Sequence, residues 1–161
     1  MTIKFTRRTA IATGAAALVA GPTFGQDATV HEIQMLNADP DNPRARQVFL
    51  PRIVVAAPGD TIKFVSVDRG HNSESIPEMM PEGAEGWEGA INDDIEVTVT
   101  TPGFYGYKCT PHATVGMVGL VIVQGEGMSD NREAAQGVRQ RGRARQVWDE
   151  IWEEVDTLDL A

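Results

Sequence analysis

Cysteine is nearly absent, with one residue, Cys109, in a chain of 161. A single thiol supports neither an intrachain disulfide framework nor a zinc site of two or more thiolates. Cys109 is therefore a reactive group, a ligand or an inert core residue. Basic residues are also few: 14 Lys and Arg stand against 23 Asp and Glu, a net charge of −9. Without a basic surplus there is no counterion release to drive binding to phosphates, which excludes a nucleic-acid binder. No apolar run approaches the roughly 20 residues of a membrane-spanning helix, so membrane insertion is not expected. The length admits one domain with at most an appendage.

What is present begins with Lys4, Arg7 and Arg8, followed by an apolar stretch from Ala10 to Ala20 and then Gly21, Pro22, Thr23 and Gly25. This is the plan of an export signal, and Thr6-Arg7-Arg8-Thr9 resembles a twin-arginine signal. Residues 1–25 are expected to be removed near Gly25-Gln26, leaving a periplasmic chain. A plain N-terminal helix is the alternative. The mature chain keeps 11 basic and all 23 acidic residues, a net −12. In an oxidising compartment an unpaired thiol needs burial or a metal to protect it.

Residues 26–124 read as short strands between turn signals. The strand-like runs are Thr29 to Leu36, Val48 to Ala57, Thr61 to Val67, Ile95 to Thr100, Phe104 to Cys109 and Met117 to Val123. They are punctuated by Pro58-Gly59-Asp60, Asp68-Arg69-Gly70 and Thr101-Pro102-Gly103, and this spacing predicts an all-β sandwich. From Glu74 to Asp94 the chain makes an acidic excursion without a basic residue, with room for one short helix. In residues 125–161, Ser129 or Asp130 is expected to cap a short helix, and a second is predicted from about Gln140 to Val155. There Val147, Trp148, Ile151, Trp152 and Val155 form one apolar stripe, expected to dock on the sandwich; a membrane-surface or partner-binding helix is the alternative. The arginines from Arg139 to Arg145 read as a solvated helical face.

The informative constellation is Cys109-Thr110-Pro111-His112 with Met117 eight residues after the cysteine, and His71-Asn72 upstream. It sets Cys, His and Met at the end of one strand, in a short loop and at the start of the next. A histidine from the turn at Asp68-Arg69-Gly70 can complete the set. Taken singly, Cys109 and Met117 read as core residues, and His71 and His112 as loop histidines. Together, two imidazoles, a thiolate and a weak thioether are the donors of a blue-copper electron-transfer site. Four protein donors leave no open position, which suits a carrier rather than an enzyme. A zinc ion accepts the same thiolate and imidazoles, and stays open. His31 lies outside the constellation and reads as structural or exposed.

The segment Cys109-x2-His112-x4-Met117 resembles the ligand loop of cupredoxins of the plastocyanin and pseudoazurin kind. Val67-Asp68-Arg69-Gly70-His71-Asn72, Glu74-Ser75-Ile76, Met80-Pro81-Glu82-Gly83-Ala84-Glu85 and Lys108-Cys109-Thr110-Pro111-His112 are similar to pseudoazurin segments in order. With two C-terminal helices, the resemblance spans nearly the whole mature chain. It implies a Greek-key sandwich with one type 1 copper held by His71, Cys109, His112 and Met117. It also implies an Asn72 whose amide donates to the sulfur and whose side chain ties the ligand loops together. Pro111, lacking an N–H, would withhold a further bond from the sulfur. The implied function is one-electron shuttling in the periplasm between c-type cytochromes and denitrification reductases. Docking would be transient, by a monomer, at the His112 end rimmed by Pro111, Ala113, Val115 and Gly116.

The chain departs from that family in charge, since glutamates follow Glu74 where lysines are expected. This suits a basic partner such as a cationic c-type cytochrome; solubility in a salty compartment is the alternative. A copper storage or delivery protein is the competing function, although the usual Met- and His-rich tracts are missing. A copper enzyme with a second metal site needs more than the three histidines present.

Overall fold

The computed structural model describes residues 28–160, so the expected signal lies outside the described residues. One sheet contains β1 (Val30–Ala38), β2 (Arg46–Leu50), β4 (Thr61–Val65) and β6 (Ile95–Thr98), in the order β2-β1-β4-β6. The other contains β3 (Ile53–Ala56), β5 (Glu74–Ser75), β7 (Gly103–Lys108) and β8 (Val118–Val123), in the order β3-β8-β7-β5. Two pairings are parallel, β1 with β4 and β3 with β8; the others are antiparallel. The β-sandwich read from the sequence is therefore the fold.

The pattern of each strand follows from what covers it. In β6, half-buried Ile95 and Val97 alternate with exposed Glu96 and Thr98, as suits an edge strand with one wet face. In β8 every residue is buried, because both faces are covered. Val121 and Val123 point into the core between the sheets, with Ile33, Met35, Phe49, Phe64, Tyr105 and Tyr107. Val118, Leu120 and Ile122 point the other way, into a second core under the C-terminal helices. That core takes Trp148, Ile151 and Val155 from α2 (Ala144–Val155), so the apolar stripe packs on the sandwich.

Three expectations need correction. The run from Val48 to Ala57 is two strands in different sheets, because the chain crosses at Leu50-Pro51 and Pro51 cannot donate to a ladder. Neither Ser129 nor Asp130 caps a helix. Both lie within a 3-10 turn, Met128–Asn131, that leads into α1 (Arg132–Gly137), and neither start has a side-chain cap. Asn131 instead bonds the amide and the carbonyl of Phe104 in β7, at 2.9 and 2.8 Å. Finally, most of the Arg139–Arg145 stretch is a connection rather than a helical face. Gly142 has a φ of +61°, which interrupts a right-handed helix, and α2 begins only at Ala144.

The acidic excursion is held by a few contacts. It contains β5 and a 3-10 turn, Pro77–Met79, and its Trp87 is half-buried. The indole Nε1 donates to Ser73 Oγ at 2.9 Å while the ring packs beside Phe64 and Tyr107. Trp87 is thus an anchor for the excursion.

Half-buried His31 and buried Asp60 form a polar fixture beside the first sheet. The Asp60 carboxylate accepts from the amides of Thr29 and Ala57, both at 2.9 Å, and from His31 Nε2 at 2.8 Å. Burial raises the Asp60 pKa, but the Ala57 amide, the His31 side chain and the Thr29 amide reverse this and hold it below 3.8. A carboxylate depressed in this way stabilises the fold above its unfolded pKa and loses that contribution as pH falls through the native value. Asp60→Asn should therefore cost about 2 kcal/mol at pH 7. In urea unfolding the gap to the parent should close as the pH is lowered below 3.8. A gap that persists undiminished in acid would count against this assignment.

Candidate metal centre

Two connections bring the donor residues together. The six pairs of β7 with β8, from Gly103–Val123 to Lys108–Val118, place Cys109 and Met117 side by side where the ladder ends. The Cys109 amide donates to the Met117 carbonyl at 3.0 Å, and the Met117 amide to the His112 carbonyl at 3.1 Å. Between them the His112 amide donates to the Cys109 carbonyl at 3.1 Å, so the loop folds back on itself. His71 arrives from the β4–β5 connection, because β5 pairs with β7 through Glu74–Lys108 and Ser75–Tyr107.

The side chains converge. His112 Nδ1 lies 3.1 Å from His71 Nδ1, and Cys109 Sγ lies 3.5 Å from His112 Nδ1 and 3.8 Å from His71 Nδ1. A triangle with these sides has its centre about 2.0 Å from each corner, close to the ~2.0–2.3 Å at which imidazole and thiolate bind a metal ion. His71 and Cys109 are buried and His112 is half-buried. Met117 is fully buried in the same core as Cys109. Among the described residues this is the group of three His, Cys, Asp or Glu residues arranged to hold a metal ion.

Burial and the neighbouring His112 push the His71 pKa down, against an opposing pull from Asp68. Burial pushes the Cys109 thiol up, while the amides of Asn72 and His112 pull it down. Pro111 contributes no amide there. The Asn72 side chain spans the two loops: Oδ1 accepts from the Thr110 amide at 2.8 Å, and Nδ2 donates to Gly89 O at 3.0 Å and to Thr110 Oγ1 at 2.9 Å. The tie inferred for Asn72 is thus made through its side chain.

Residues 40–124 match the family of copper-binding proteins described as plastocyanin/azurin. Over 139 residues, 86% of this chain and 92% of the relative, the sequence is 45% identical to a pseudoazurin of Paracoccus pantotrophus. The chain belongs to the pseudoazurins. The crystal structure of pseudoazurin from Methylobacterium extorquens AM1 aligns at 36% identity with a TM-score of 0.71, covering 78% of this chain and 98% of that one. A pseudoazurin from Hyphomicrobium denitrificans aligns at 32% identity with the same TM-score and coverage. Copper is the cofactor of this family, and the two imidazoles and thiolate gathered here suit it.

Sequence reasoning missed two supports of this cupredoxin centre. Asn37, at the end of β1 and one residue past the predicted strand, has its Oδ1 3.1 Å from His71 Nε2. An Nε2–H donating there leaves Nδ1 as the lone pair that faces Cys109 and His112, which selects the tautomer a metal needs. Glu74 accepts from Thr110 Oγ1 at 2.6 Å and pairs with Lys108 at 3.3 Å, extending the Asn72 link across the β5–β7 edge. Neither partner had a spacing signal, since both contacts span more than 30 residues. Asn37→Ala should weaken copper binding about tenfold by chelator competition. An unchanged affinity would mean that water serves His71 equally well.

Proposed function

We propose that the protein is a periplasmic one-electron carrier in which His71, Cys109, His112 and Met117 hold one type 1 copper ion. The observation that carries this reading is the triangle of Cys109 Sγ and the two Nδ1 atoms, with sides of 3.1 to 3.8 Å. When bound, copper supplies a one-electron couple between Cu(II) and Cu(I). The chain's part is to keep the donors in place during the change. Thiolate and thioether favour the reduced ion, imidazole accepts either state, and the rigid loop limits movement between them. With Met117 as the fourth donor no position is left for substrate or water, and the site works as a relay and not as an enzyme.

His112 is the half-buried donor, and it sits among exposed Pro111, Thr114 and Val115. This end therefore offers a small, partly apolar contact of the kind suited to brief docking. Glu78, Glu82, Glu85 and Glu88 are exposed on the acidic excursion, a charge that favours partners basic near their redox centre, such as cationic c-type cytochromes or copper reductases. The chain acts as a monomer that meets each partner in turn.

The copper-loaded protein should show an intense blue band that ascorbate bleaches and an oxidant restores; a protein colourless after copper and oxidant would overturn the reading. Pro111→Ala adds an N–H near the sulfur, which makes the thiolate less donating and disfavours Cu(II). Its reduction potential should rise by about 40 mV, the equivalent of about 1 kcal/mol in a one-electron couple. Electron transfer to a cationic cytochrome should slow as salt rises, whereas equal and salt-insensitive rates with cationic and anionic cytochromes would remove the steering argument.

A further inference from the structure

The ligand loop from Cys109 to Met117 satisfies most of its backbone internally. The His112 carbonyl receives the amides of Val115 and Met117, the Ala113 carbonyl receives that of Gly116, and the Met117 carbonyl receives that of Cys109. Two hydrogen bonds from distant segments reach the loop's backbone. On the cysteine side, Asn72 Oδ1 accepts from the Thr110 amide. On the far side, between His112 and Met117, the Arg143 amide donates to the Thr114 carbonyl at 2.9 Å. Arg143 immediately precedes α2, in a part of the chain that the copper site does not otherwise need.

The packing at this second contact is close. A Cβ on Gly142 would lie 2.4 Å from the Thr114 carbonyl oxygen, and one on Gly116 would lie 2.9 Å from Val147 in α2. Gly142 thus meets the Thr114 carbonyl backbone to backbone, while the side chains of Val147 and Arg143 close over Gly116. Both glycines have positive φ, +61° and +102°, so each position is also unfavourable for other residues.

We propose that the start of α2 is a splint for the copper-ligand loop, with Gly142 and the Arg143 amide as positioning residues for His112 and Met117. Asn72 holds the loop at one end of its arc and Arg143 holds it at the other, leaving the His112 turn suspended between fixed points. The second core of Trp148, Ile151 and Val155 then has a role at the metal, because it seats the helix from which the tether comes. This rests on the reading that His112 and Met117 hold copper, while the tether is itself a backbone hydrogen bond that involves no metal donor atom.

The test compares Arg143→Pro with Arg143→Ala. Arg143 has φ −68°, which proline adopts, and it precedes the first turn of α2, where proline is tolerated. The proline variant removes the amide, and the alanine variant removes only the side chain. Amide hydrogen exchange at Val115, Gly116 and Met117 is followed in the copper-free and copper-loaded proteins, with copper loss to a chelator and the visible band as further readouts. Arg143→Pro is expected to speed exchange at these amides and copper loss about fivefold each, the equivalent of one hydrogen bond, and to alter the band. Ile151 and Val155 should keep their protection, and Arg143→Ala, which keeps the amide, should change the loop amides far less than Arg143→Pro. Gly142→Ala reaches the same tether by displacing the Thr114 carbonyl and should reproduce the proline signature. The inference is overturned if both variants leave the loop amides as they are in the parent, or if the loop changes only together with lost protection in α2. A parent protein without a blue band would refute the copper reading while leaving the exchange result to decide the tether.

Discussion

Antiparallel pairing of β7 with β8 is the constraint on which the centre depends. The ladder ends at Lys108–Val118, and the next residue on each side is Cys109 or Met117. Seven residues lie between them, enough for one 3-10 turn, Ala113–Val115, and for His112 to reach back toward the sulfur. A one-residue slip would turn alternate side chains to the opposite face. Tyr105 and Tyr107 would leave the inter-sheet core, and Cys109 would leave the site. The burial of β8 and of all of β7 but Lys108 therefore specifies the geometry of the donors at the strand ends.

Polar contacts extend that order to the second loop. Pairing of Glu74 with Lys108 brings the His71 segment alongside, Asn72 fastens it to Thr110, and Asn37 supplies an acceptor for the outer nitrogen of His71. These bonds orient groups whose convergence burial alone would oppose, since two imidazoles and a thiol pack with their polar atoms 3.1 to 3.8 Å apart. A cation shared among them resolves that crowding.

The acidic excursion and the C-terminal helices are each tied to the sandwich by its core contacts. Trp87 pins the acidic excursion to the core by its ring and its indole N–H, so the exposed glutamates are carried on an anchored segment. The helices cover the outer face of β8 and make it apolar on both sides. Through Gly142 and Arg143 they also touch the ligand turn.

The sequence by itself determined the fold class, most strand positions, the docking of the α2 stripe and the chemistry of the donor set. Those features are written in local periodicity, turn residues and a unique Cys-x2-His-x4-Met spacing, which neighbours along the chain decide. Tertiary structure alone decided the rest. Val48 to Ala57 divides between two sheets because each half finds a different partner, β1 or β8. Asn37 finds His71 across 34 residues, and Arg143 finds Thr114 from beyond the sandwich. Buried Asp60 gathers half-buried His31 and two amides into one polar fixture. A hydrogen bond between distant residues leaves no periodic trace, because only the packed sheets and helices fix which donor meets which acceptor.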